Sequence, residues 1–184
     1  MEILTSLRRD EALPLSVAQR KDVARERWES LPAVIKDTFA NAPKVAMYEA
    51  LRRMDVDTQP SRAVEWAYST RKDSLVVTIW HDQIRADMGA DILYYVPTGS
   101  WGRKSNLSGR SELMRAHLTR FAGQAVGALL LRHEWDKNDT QNAKSVAPDM
   151  KRWLIEQVAE DEFILRRGRR AAATAKTALP VDVG

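Results

Sequence analysis

The sequence predicts an α+β fold: an N-terminal helical cluster, a three- to four-stranded antiparallel sheet, two long C-terminal helices on one face, and a basic flexible tail. Three observations predict it. Apolar residues recur at helical spacing over 16–54, alternate with period two from about residue 62, and return to helical spacing after Ser108. The run "SLVVTIW" is β-branched and apolar, as a strand buried on both faces is. The links between the strand-like runs are short, which favours an antiparallel meander.

The elements follow in order. Val17, Ala24, Trp28 and Leu31 share one face of a helix over 16–30. Pro32 suits the first turn of a second helix, with Ser30 nearby as a cap, and Pro43 opens a third over 43–54. Val64, Trp66 and Tyr68 alternate with small or polar neighbours, giving the first strand. "SLVVTIW" is the second, and "DILYYVP", ended by Pro97, the third. A long helix starts near Gly109, with Met114, Leu118, Phe121, Ala125 and Leu129 on one stripe as far as Leu130 or Leu131. An alternative ends that helix near Gly123 and makes "AVGALLLRHEW" a strand, and periodicity leaves both open. Pro148 opens a last helix with Met150, Trp153, Leu154 and Val158 inward. Residues 1–165 then form one domain and 166–184 a disordered basic tail.

Composition bounds the function. With no cysteine, disulfides, thiolate zinc sites and cysteine nucleophiles are excluded. No apolar run approaches the roughly 20 residues of a membrane-spanning helix, and no signal peptide is legible, so the expected setting is cytoplasmic with no membrane partner. The net charge of +4 is concentrated. Residues 98–120 carry five basic side chains against one acidic, and so do residues 166–184, while the rest of the chain is neutral to acidic. Such concentration suits anion contacts, with nucleic acid the expected partner and an acidic protein partner the alternative.

The loop "VPTGSWGRKSNLSGR" is the first candidate. Arg103 and Thr98 stand where a P-loop needs glycines, so backbone closure around a β-phosphate is not expected. Arg103, Lys104, Arg110 and Arg115 suit phosphate contacts, and Trp101 suits stacking on a base. The tail run "RRGRR" offers Arg166, Arg167, Arg169 and Arg170 for the same purpose. Of the six tryptophans, Trp28, Trp66 and Trp153 are expected inside, and Trp80 and Trp101 at the surface.

A catalytic alternative rests on His81 at a strand end, Asn106 in the next loop and His117 in the following helix. This β–β–α order resembles the motif of HNH nucleases, with a longer gap from His81 to Asn106 and His-Asp in place of the family's residue pair. The resemblance implies a metal-dependent nuclease in which His81 activates water, Asn106 orients it, and His117 with Asp82 holds magnesium. "APDMK" is reminiscent of restriction-type nucleases, but the expected helix puts Asp149 and Lys151 on different sides. His133, Glu134, Asp136 and Asp139 cluster in sequence and are read as a solvated segment. A third class is a structural or assembly protein of a phage or plasmid system.

Overall fold

The computed structural model describes residues 16–59, 66–86, 92–97, 108–135 and 141–168. Helices α1 (Val17–Ser30), α2 (Ala33–Ala40) and α3 (Met47–Arg53) come first. Strands β1 (Ala67–Ser69), β2 (Leu75–Trp80), β3 (Ile84–Ala86) and β4 (Ile92–Pro97) follow, with a single 3₁₀ turn, His81–Gln83, between β2 and β3. Helix α4 (Ser108–Arg120) then leads into β5 (Ala125–Trp135), β6 (Gln141–Ala159) and β7 (Glu162–Arg167). Among the described residues no helix is long and apolar enough to cross a membrane.

Local chemistry explains the helix limits. Ser16 and Gln19 form a reciprocal capping box, the Ser16 hydroxyl accepting from Gln19 N–H and the Gln19 side chain from Ser16 N–H. Leu31 turns extended ahead of Pro32, which stops α1 and heads α2. Helix α4 stops at Arg120, and Gly123 takes φ +77°, a left-handed turn that sends the chain into β5.

The strands form one seven-stranded sheet in the order β1-β2-β5-β6-β7-β4-β3. It is mixed, because β2 and β5 run parallel while the other pairs are antiparallel. In that order β2 and β3 stand five strand spacings apart, about 24 Å in a flat sheet. Only three residues join them, and Trp80 to Ile84 spans at most about 14 Å even fully extended. The sheet therefore curls until β3 returns toward the end of β2. Inside the curl lies one apolar cluster to which all seven strands contribute, with Trp153, Phe163, Ile79 and Leu130 fully buried. Leu31 and Ile35 from the N-terminal helices and Met114, Leu118 and Phe121 from the α4 region complete it. A smaller cluster on the outer face packs Ala50 and Leu51 of α3 against Val76, Leu129, Leu131 and Val146.

The mixed helix-and-strand content agrees with the expectation, but its details need correction. The sheet has seven strands, not three or four, and the two long C-terminal helices are absent: α4 ends at Arg120, and the remaining segments are β5 to β7. In β5, Val126, Ala128 and Leu130 face the inner cluster while Leu129 and Leu131 face the outer one. Both sides of the strand are apolar, so its alternation is invisible in the sequence. Gly127 lies in this strand, where a Cβ would meet the side chains of Val76 and Met54.

β6 was harder to read because it carries a bulge. Asp149 pairs with Ala128 and Trp153 with Val126, so four residues of β6 pass while β5 advances two. The buried residues Asp149 and Trp153 are thus four apart, as on a helix, while Met150 is 93% exposed. Pro148 is tolerated at a place where β7 has not yet joined β6, since their pairing begins at Trp153 and no described strand lies on that side of residue 148.

The bulge is clamped by Asp149. Its carboxylate accepts two bonds from Arg167, at 2.7 and 3.0 Å, one from the indole N–H of Trp153 at 2.9 Å, and one from Lys151 N–H at 3.0 Å. The Asp149 and Arg167 side chains are only 1% and 9% exposed. Removing one partner strands the other's charge in the core. Asp149→Ala is expected to lower stability by about 3–5 kcal/mol, with Asp149→Ala/Arg167→Ala less destabilised than the two single effects combined. Denaturant unfolding of the four proteins checks both outcomes.

Candidate functional site

The seam of the curled sheet gathers His81 and His133 with Trp28, Trp80 and Trp135. Strand β2 pairs with β5 up to Trp80 opposite Leu131, and β5 continues to Trp135. The 3₁₀ turn after β2 places His81 and Asp82 beside this overhang. His81 is 1% exposed and bonded through both ring nitrogens. Nδ1 accepts the backbone N–H of His133 at 3.2 Å, so Nε2 carries the proton and donates to the Ala24 carbonyl at 2.8 Å. One imidazole thus fastens α1 to the ends of β2 and β5.

His133 is the centre of an aromatic stack. Trp80 lies flat against it with ring centres 4.0 Å apart, and Trp135 and His81 approach at 5.3 and 5.4 Å. Its Nε2 lies 2.8 Å from Asp82 Oδ1, a bond that holds the ring's orientation. Trp28 of α1 closes on His81 at 5.6 Å edge-on, and the Arg132 guanidinium lies 3.7 Å above the Trp28 ring. Between α1 and this stack lies a recess of about 200 Å³. Lys21, Arg25 and Arg132 supply its cations, and Trp28, Trp135 and His133 its aromatic wall. The Trp135 indole N–H is buried and has no acceptor among the described residues.

The residues expected from the sequence fall differently. Trp101, Arg103, Lys104, Asn106, Arg169 and Arg170 lie outside the described residues, as does the side chain of Arg110. Arg115 pairs with Asp161 at 3.0 Å, Arg166 with Glu156 at 3.2 Å, and Arg167 with Asp149. Arg166 and Arg167 end strand β7, so the chain that was read as tail from residue 166 is sheet up to Arg167. Register also separates the two basic segments. Pro97, after which residues 98–107 follow, sits opposite Glu162 at the start of β7, and residues 169–184 follow from its other end, beyond Arg167. The two points are about 17 Å apart along the strand.

For the nuclease arrangement, His81 and Asp82 are adjacent at the seam, but the partners of His81 are Ala24, Trp28 and His133, not His117. His117 is half-buried on α4. With both nitrogens of His81 engaged, activating water or binding a metal there requires breaking one of these bonds. Among the described residues, no three His, Asp or Glu side chains form a metal-holding group. Asp149 and Lys151 do lie on a strand, contrary to the helix expected for them, yet the Asp149 carboxylate is taken up by the bulge clamp.

The sequence points to His133 only as part of a solvated cluster, and it does not mark Trp135 or the cations of α1. The alternative that makes "AVGALLLRHEW" a strand is the correct one, and on that strand His133 and Trp135 are two apart and share a side. The α1 cations show no sequence signal, because Lys21 and Arg25 lie among Asp22, Glu26 and Glu29 in a segment of balanced charge. Only the fold sorts them.

Burial holds the His81 pKa below the ordinary histidine value. The Ala24 carbonyl and Asp82 oppose that shift, while His133 and Arg132 add to it. The folded protein therefore resists a proton that the unfolded chain accepts below about pH 6.5. Stability is expected to fall as pH drops through 6.5 toward the lowered folded value, with a slope from this group of at most about 1.4 kcal/mol per pH unit. His81→Gln should flatten that part of the profile, as thermal unfolding of both proteins between pH 8 and pH 5 would show. Comparison with known proteins supplies no assignment: no family model, curated protein or solved structure matches this chain.

Proposed function

We propose that the protein is a nucleic-acid-associated binding protein, with the recess between α1 and the ends of β2 and β5 as part of its contact surface. The observation that carries this reading is the convergence of Lys21, Arg25 and Arg132 with Trp28 and Trp135 around one concavity. Cations alone suit any acidic partner. Cations beside aromatic rings suit a ligand that alternates phosphates with flat heterocycles. In this reading Lys21 and Arg25, on the exposed side of α1, meet phosphates. The 98–110 segment, with Trp101, Arg103, Lys104 and Arg110, and the residues after Gly168, with Arg169 and Arg170, extend the contact in this reading. Arg25 pairs with Asp22 at 2.9 Å, but within one helix turn and with both side chains well exposed, so it can be shared with a phosphate; Arg166 and Arg167 are left out, since more buried carboxylates hold them, and Arg115 is left to Asp161.

The test is fluorescence anisotropy of a labelled oligonucleotide against the full chain over about 50–200 mM salt. Wild-type binding should weaken steeply with salt. Lys21→Glu/Arg25→Glu should weaken it at least about tenfold and make the salt slope shallower by roughly 1.5. Both side chains are exposed, so circular dichroism should show the fold retained. Salt-insensitive binding, or a double variant that binds like wild type, overturns the reading.

A further inference from the structure

We infer that the recess receives one unstacked nucleobase, so that the ligand is a single strand rather than a duplex. The inference rests on the nucleic-acid reading above and specifies the form of nucleic acid. Three features of the recess point to it. The first is size: about 200 Å³ is below the roughly 300–1,000 Å³ of pockets that enclose drug-sized molecules. It is room for one flat ring system, with sugar and phosphate left outside. The second is the wall. Trp28 and Trp135 line the concavity, with one face of Trp28 already under the Arg132 guanidinium, and the stack of Trp80 on His133, with the Asp82 bond behind it, fixes that wall before any ligand arrives.

The third is the Trp135 indole N–H, buried without an acceptor among the described residues. Leaving a donor in this state is unfavourable; the N–H has no accessible surface, so in this reading the indole turns toward the recess as a ligand enters and takes an acceptor from it. Nucleobase edges carry such acceptors as ring nitrogens and carbonyl oxygens. A base paired and stacked within a duplex cannot reach into so small a recess without being extruded. A base in a single strand can enter freely, while its flanking phosphates reach Lys21 and Arg25 on the rim.

Four probes test this with the full chain: a mixed-sequence single strand, the same length carrying a run of abasic sites, the corresponding duplex, and a free nucleoside monophosphate. The base-bearing strand should bind on the order of tenfold tighter than the abasic strand, as loss of one stacked base implies. It should also bind more tightly than the duplex. Trp135→Phe, which keeps a ring but removes the N–H, should bring the base-bearing strand several-fold closer to the abasic one. Equal, salt-dependent affinity for the single strand, abasic strand and duplex overturns the inference and leaves the nucleic-acid reading standing. So does a Trp135→Phe protein that keeps the full preference for bases. A monophosphate that binds as tightly as the strand also overturns it, since the site then serves a free nucleotide. Failure of all four probes to bind overturns both proposals.

Discussion

Three residues between β2 and β3 set the shape of this molecule. Because they are too few to cross a flat sheet of this strand order, the sheet has to close on itself around a shared apolar interior. Everything at the seam follows from that closure. The turn that makes the short link consists of His81, Asp82 and Gln83, so polar side chains are carried to the mouth of the curl beside the overhang of β5. Helix α1 covers the mouth, and the buried imidazole of His81 satisfies one group on each side of it. The recess is what remains between the helix and the seam.

Charge behaves differently in space than along the chain. By sequence, positive charge belongs to 98–120 and 166–184. In the fold, several arginines of those stretches meet carboxylates: Arg115 with Asp161, Arg120 with Asp73, Arg166 with Glu156 and Arg167 with Asp149. The locally acidic stretch 121–165 supplies three of those four partners. A balanced helix instead contributes cations to a concavity, because its turn spacing puts Lys21 and Arg25 on the side that faces the recess.

How much could be read in advance depended on whether local signals matched the final environment. The N-terminal helices were legible because caps, prolines and a single apolar face agree. β2 was legible as a doubly buried strand, but its parallel neighbour was not, since no local pattern records which distant strand lies alongside. β5 was obscured by having two apolar faces, and β6 by a bulge that spaces Asp149 and Trp153 like helical neighbours. At the site, His81 and Asp82 were noticed for chemistry, whereas in the fold His81 is a strut. His133, which sits at the centre of the stack, drew little attention beside acidic neighbours that suggested a solvated segment.

The open flank of β6 has a consequence for association between molecules. From Gln141 to Arg152 the strand has β5 on one side and no described strand on the other. Such a margin is ordinarily a template on which a foreign chain can zip. Here Pro148 deletes a donor from it, and the bulge at Met150 to Arg152 throws the backbone out of line just beyond. Over Pro148 to Arg152 a chain laid along that flank would meet neither a continuous row of donors nor a straight backbone, so any added strand is confined to the stretch before the proline.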